Sequence, residues 1–258
     1  MLGKLMKYEF KAMGRIFLPL FGALLVASAI NRLFIALDFT IPKVIGTTIS
    51  SSLIVAVIVV ALILTIQRFY RNLLSREGYL MFTLPVRTDS LVWSKLLVAA
   101  VWMIVSLIVV MLAIAIMAAT GDTFTSMMAS LKEFFRSLSQ AGFSGILIGI
   151  ECVLLAIGGL FSGILTLYAC IALSLFVGKH RVGFAFLMFI VINIIGQTIL
   201  GILAVSVDLD SLTALVDNMS GFGQVQTVLG LCFLFELIAG GIFYVVTRLM
   251  LKYKLNLE

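Results

Sequence analysis

Six long apolar runs, separated by short polar intervals, dominate the pattern along the chain. Each reaches or approaches the roughly 20 residues needed to cross a hydrocarbon core as a helix. They predict spans over about 16–37, 48–67, 91–118, some part of 143–177, 182–206 and 226–250. The run at 143–177 is overlong, since at about 1.5 Å per residue it would reach roughly 50 Å as a single helix. It fits either one long helix projecting from the membrane or two short ones, and Gly158-Gly159 marks where a break would fall.

Two further segments carry helical periodicity at less than span length. In 2–15, Lys4, Lys7, Lys11 and Arg15 line one face, while Leu2, Met6, Phe10, Met13 and Phe17 line another. This predicts a helix in the membrane interface with its basic face toward phospholipid headgroups. Glu9 falls among the apolar positions, which a purely lipid-facing stripe disfavours, and is expected to contact another part of the protein. In 124–138, Phe124, Met127, Met128, Leu131, Phe134, Phe135 and Leu138 form a second stripe, with Lys132, Glu133 and Arg136 on the other side. This predicts an amphipathic helix on the outer leaflet surface or capping the outer mouth.

Composition turns these runs into a membrane assignment. Of 258 residues, 62% are hydrophobic and 12% charged, against about 25% charged for a soluble domain. A water-facing surface would lack groups to solvate it. The apolar run from Ile16 to Leu37 exceeds the usual core of a signal peptide, so Ala27-Ser28-Ala29 is read as part of an uncleaved first span and not as a cleavage site.

The net charge of +6 could indicate nucleic acid, but its placement indicates topology instead. Fourteen of the 18 Lys and Arg fall on one side of a six-span arrangement: Lys4, Lys7, Lys11, Arg15, Arg68, Arg71, Arg76, Arg87, Lys95, Lys179, Arg181, Arg248, Lys252 and Lys254. The other side carries Arg32, Lys43, Lys132 and Arg136 among Asp38, Asp122, Glu133, Asp208, Asp210 and Asp217. By the positive-inside rule both termini are cytoplasmic, and seven crossings would break the pattern. The expected fold class is therefore all-α. A single transmembrane domain over 1–258 has six spans, an interfacial helix at 1–15, a cytoplasmic loop from 67 to 90–95, an external amphipathic segment at 120–142 and an external loop at 207–225.

Candidate chemistry is sparse. Cys152, Cys170 and Cys232 sit in apolar runs without zinc-site spacing and read as packing residues. Glu151 and Glu236 lie within spans, where an ionisable group costs a few kcal/mol, roughly 2.5–3.5 on insertion scales. They either line a cavity for a cationic substrate, or are protonated or paired with a donor such as Asn193 or Gln197. Asn193 and Gln197 share one face of a span and read first as helix-to-helix bonds, second as part of a route. Gly145-x-x-x-Gly149 and Gly159-x-x-x-Gly163 permit close helix approach. No sequence repeat at fixed spacing stands out, and Ser, His and Asp form no recognisable catalytic arrangement.

The segment from Gln67 to Pro85 mixes cations with Tyr79, Leu80, Met81, Phe82 and Leu84, and its helical pattern breaks at Gly78 and Pro85. A solvated loop does not need such a cluster, so it is expected to be buried against the membrane surface, the rest of the chain or a partner. Arg76-Glu77-Gly78-Tyr79 followed by Leu84-Pro85, between spans 2 and 3 of a six-span chain, resembles the permeases of ABC type-2 exporters. The segment Lys4-Leu5-Met6-Lys7-Tyr8-Glu9-Phe10-Lys11 is similar to that family's interfacial elbow helix. The turn Gly178-Lys179-His180-Arg181 sits where a second, smaller ATPase contact is expected. Among such permeases the chain most resembles the compact ones that Gram-positive bacteria use to export antimicrobial or cytolytic peptides, such as the phenol-soluble modulin exporters.

The resemblance implies a coupling helix in the 67–90 loop, carried by Arg76, Glu77, Gly78, Tyr79, Leu84 and Pro85, with Lys179, His180 and Arg181 as the second contact. It further implies two copies of a P-loop ATPase that bind ATP and Mg, and a second permease half, the same chain or a different one. The chain itself has no Gly-x-x-x-x-Gly-Lys-Ser/Thr loop, so no cofactor is expected on it. Export of an amphipathic peptide across the plasma membrane is the first expectation, with a lipid or hydrophobic antibiotic as the alternative cargo. Rivals from other classes are an ion-gradient carrier using Glu151 or Glu236, a membrane enzyme, and a peptide-binding immunity or sensor protein.

Overall fold

The computed structural model describes residues 2–37, 39–74, 88–119, 122–140, 142–177, 181–206 and 221–253. These form seven α-helices and no strand: α1 (Leu2–Ala36), α2 (Thr40–Leu74), α3 (Thr88–Ala118), α4 (Asp122–Gln140), α5 (Gly142–Leu173), α6 (Arg181–Ser206) and α7 (Gly221–Tyr253). A 3-10 turn, Ser174–Phe176, follows α5. All but α4 are long and apolar enough to cross a membrane, which makes this an all-α chain with six candidate spans. Several helices overrun the expected boundaries. The 2–15 segment and the first span are one helix with Pro19 inside it. Segments 67–74 and 88–95, expected as loop, are helical turns of α2 and α3. Positions 221–225, expected in an external loop, belong to α7. The overlong 142–173 run is a single helix that continues through Gly158-Gly159.

Two compact units divide the chain, Met1–Phe134 and Phe135–Glu258, with the boundary inside α4. In the first unit α1 packs against both α2 and α3. Its core takes Met13, Phe17, Phe21 and Leu24 from α1, Val57, Ala61 and Leu64 from α2, and Val98, Trp102, Val110 and Ala113 from α3. The α1 residues recur at spacings of three and four, so they occupy one stripe. The indole of Trp102 stacks on Phe17, with ring centroids 4.9 Å apart and planes 8° from parallel, and Phe10 and Phe21 tilt against its edges. Gly14 makes room for it, since a Cβ there would lie 3.2 Å from Trp102 Cζ2. In a bilayer such packing replaces water exclusion as the force between helices. The apolar stripe of 2–17 is thus largely covered by protein: Met6 and Phe10 lean on the core and Met13 and Phe17 are buried in it, while Lys7, Lys11 and Arg15 stay exposed.

The second unit is built on α5 and α7, with α6 packed on α5 and on the 3-10 turn. Gly158 and Gly159 face Phe233 and Glu236, and Gly240 faces Ser162 and Leu165. Both residue numbers rise together along the seam, so the two helices run parallel. The first unit repeats this arrangement: Glu9 meets Lys95 and Phe17 meets Trp102, which makes α1 and α3 parallel. Gly142, the first residue of α5, has φ +59°, the left-handed conformation that a β-carbon disfavours.

Candidate functional site

Three charged side chains, one each from α1, α2 and α3, converge at one end of the first unit. Glu9 sits in the apolar stripe of α1, Arg68 near the last turns of α2 and Lys95 two turns into α3. The Lys95 ammonium donates to Glu9 Oε1 at 2.7 Å, and Arg68 Nη1 lies 3.8 Å from Glu9 Oε2. Glu9 is 8% exposed and Lys95 5%. Neither charge could be kept there alone, because an isolated buried ion loses its hydration. Phe69, next to Arg68 in sequence, and Leu91, Val92 and Leu96, beside or one turn from Lys95, are themselves buried. The sequence reading anticipated a partner for Glu9. Lys95, expected in the cytoplasmic loop, lies instead in the helical start of α3, which carries it inward.

The cluster's position matters as much as its composition. Arg68 and Lys95 stand on the two helices that flank 75–87, so the roots of that segment are tied to α1 through one carboxylate. The residues singled out within the segment, Arg76, Glu77, Gly78, Tyr79, Leu84 and Pro85, lie outside the described residues, as do Lys179 and His180. Arg181 is the first residue of α6.

Glu236, half-buried on α7, rests against the diglycine of α5. A Cβ at Gly159 would lie 2.9 Å from its Oε1 and a Cβ at Gly158 3.0 Å from its Oε2. The absence of side chains at 158 and 159 is what admits a carboxylate to the helix seam. Its Oε2 is shielded from solvent and has no hydrogen-bond partner among the described residues; the same holds for Glu151 Oε2. Glu151 precedes Gly158 by seven residues on α5, about 10 Å along one helix face. The second unit therefore carries two in-span carboxylates, spaced along α5, with acceptor capacity left over.

Asn193 and Gln197 do not join them. Both are exposed on α6, and the Asn193 amide donates to Phe189 O of its own helix at 2.8 Å. That bond uses one of the two amide hydrogens, and among the described residues no bond from Asn193 to Glu236 or to another helix is seen. Of the glycine pairs, Gly159 makes a close approach while Gly163 faces open space. The real contact partners on the seam are Gly158, Ser162 and Gly240.

A further polar cluster escaped the sequence reading. Asn31, fully buried on α1, donates to Thr47 Oγ1 at 3.3 Å, and its Oδ1 would lie 2.4 Å from a Cβ at Gly46. Ser28 and Ser50 are buried nearby in sequence on the same two helices. Asn31 and Gly46 each look unremarkable along the chain; only their mutual approach gives them a role. No known protein family, curated protein or solved structure matches the chain.

Proposed function

We propose that this chain is the membrane-spanning permease subunit of an ATP-driven exporter, moving an amphipathic or hydrophobic substrate outward by alternating access. It works with two copies of a P-loop ATPase, which bind ATP and Mg, and with a second permease half that is the same chain. It resides in the plasma membrane with both termini cytoplasmic, in keeping with the distribution of Lys and Arg. The observation that carries the reading is the Glu9–Lys95–Arg68 cluster. A loop that transmits a motor's movement needs roots that move with the spans, and this ion cluster ties α2 and α3 to α1 on either side of 75–87. The aromatic run Tyr79 to Phe82 supplies an apolar plug for the ATPase, and Arg76 and Glu77 supply its charged rim. An amphipathic peptide is the preferred cargo, because the spans are overwhelmingly apolar while Glu151 and Glu236 offer anionic points to a cationic side chain.

The ATPase is tested first by affinity purification of the tagged chain from its native membrane. A stoichiometric P-loop ATPase is expected to co-purify, and its absence under conditions that retain activity would end the exporter reading. Glu77→Ala with Tyr79→Ala should then leave membrane insertion intact while ATP turnover no longer drives export. A second reading is favoured by the unpaired Glu236 Oε2: an ion-gradient carrier with that carboxylate as its proton site. Transport that persists without any ATPase, collapses when the proton gradient is dissipated and is lost in Glu236→Gln would select it.

A further inference from the structure

Helix α6 carries two carboxamides with bonding capacity left over, at a depth where lipid cannot use it. Asn193 and Gln197 both lie within the candidate span Val182–Ile199. Asn193 stands close to the middle of Arg181–Ser206, and Gln197 about 14 Å short of Ser206 at 1.5 Å per residue. With a hydrocarbon core of about 30 Å, neither side chain reaches the headgroups. Both are exposed. The Asn193 amide gives one hydrogen to Phe189 O, and Gln197 makes no hydrogen bond among the described residues. Acyl chains neither donate nor accept, so amides at this depth turn to protein or to water.

The direction of the amides narrows the choice. Successive residues stand about 100° apart around a helix axis. On the first half of α6, Phe184, Ala185, Met188, Val191 and Ile192 are half-buried and mark the side turned toward the rest of the chain. Gln197 points about 180° from their mean direction and Asn193 about 140° from it. Phe186 and Ile190 lie within about 20° of Gln197 and are 67% and 44% exposed. Water is a poor occupant beside such large apolar side chains. The face has the make-up of a helix contact, apolar with a few bonding groups.

We infer that this face of α6 packs against the same face of a second copy of the chain, with Asn193 and Gln197 bonding their counterparts across a two-fold axis along the membrane normal. Two chains of one topology place their α6 helices parallel and at equal depth, so a residue near the axis meets itself. A carboxamide suits that meeting because it both donates and accepts. Carboxylates do not: on α5 and α7, Glu151 and Glu236 would set like charges together, whereas Val182–Ile199 holds no Asp, Glu, Lys or Arg. Gly201, with open space around it, stands one turn from Gln197 and about 40° aside, and lets the backbones approach. The inference rests on the proposed pairing of identical halves and assigns the face that makes it, whatever the cargo.

The test uses the full-length chain in its native membrane. Exposed Cys152 and Cys232 are replaced by alanine and buried Cys170 is retained. Ile190→Cys and Ile195→Cys are then made singly, which keeps both amides. Ile190 shares the Gln197 face, whereas Ile195, 51% exposed, stands about 160° from it. Oxidation with copper phenanthroline should give several-fold more disulfide-linked dimer at 190 than at 195, and Phe186→Cys repeats the measurement on the same face. Asn193→Leu with Gln197→Leu, added to Ile190→Cys, should lower the yield about fivefold, the scale of interhelical hydrogen bonds in membranes. Leucine suits a lipid-facing helix, so equal membrane yield and monodisperse elution should accompany that loss. Gln197→Asn, which keeps a carboxamide, should retain most of the dimer. Equal yields at 190 and 195, no dimer at 190, an adduct there to a different protein, or an undiminished yield in the double-leucine variant would each overturn the inference. The same membranes are probed for a co-purifying P-loop ATPase. With the ATPase present and no dimer at 190, this face falls and the exporter stands; a face-specific dimer without an ATPase upholds the face and ends the exporter reading.

Discussion

Glu9 and Lys95 are 86 residues apart in sequence and 2.7 Å apart in space, and each is present for the other. Removing one partner strands a buried charge, so Lys95→Met or Glu9→Gln should each destabilise the protein by about 3–5 kcal/mol. The double variant Glu9→Leu with Lys95→Met should cost less than either single change, because no charge is left without hydration. Arg68→Gln should cost about 1 kcal/mol or less, since its contact is long and its side chain is 29% exposed. Thermal unfolding in detergent micelles measures all four, and additive losses in the double variant would refute the pair's mutual dependence. Asn31 and Gly46 give a steric counterpart. Gly46→Ala drives a β-carbon to 2.4 Å from Asn31 Oδ1 and should cost about 1–3 kcal/mol. Adding Asn31→Ala should recover most of that loss, as residues in contact are not additive. At this scale one usable sign was legible along the chain, a glutamate out of register in an apolar stripe. It could not identify the partner, because Lys95 reads as a loop cation until helix α3 is seen to begin before it.

Among the helices, the α5–α7 seam is held by what its residues lack. Gly158, Gly159 and Gly240 allow close approach, and a β-carbon at Gly240 would lie 3.6 Å from that of Ser162. That separation falls within the range of about 3.5–4.5 Å for disulfide-linked β-carbons. Ser162→Cys with Gly240→Cys, with Cys152 and Cys232 replaced by alanine, should therefore cross-link under mild oxidation. The same treatment of Gly163→Cys with Gly240→Cys should not, because Gly163 faces away. A reversed preference, scored by protease cleavage between the helices followed by gel mobility, would mean the seam has another register. Gly159→Ala should be mild, since the atom it meets is the movable end of Glu236, whereas Gly159→Leu should separate the helices. The span cores of these helices were legible from hydropathy alone. Their ends were not, because helices continue beyond the apolar window wherever nothing breaks them, as at 2–15, 67–74 and 221–225.

For the molecule as a whole, the proposed topology of six crossings with both termini cytoplasmic, which rests on the placement of Lys and Arg, predicts that tags at either terminus become protease-accessible only after the membrane is opened. Replacing Lys4, Lys7, Lys11 and Arg15 by glutamine should yield a mixed orientation, read by the same assay, because these are the cations nearest the first span. Full retention of orientation would move the topological determinant to the later loops. The sequence by itself determined the all-α class, the six spans and the amphipathic α4, because transfer of an apolar helix into lipid sums over about 20 neighbouring residues and needs no distant partner. Tertiary structure alone decided that the stripe of α1 faces protein, that 142–173 is unbroken, that Lys95 is buried and that Glu236 lies on a diglycine. Each of these depends on which helices approach closely, and close approach is set by shape complementarity between residues far apart in the chain.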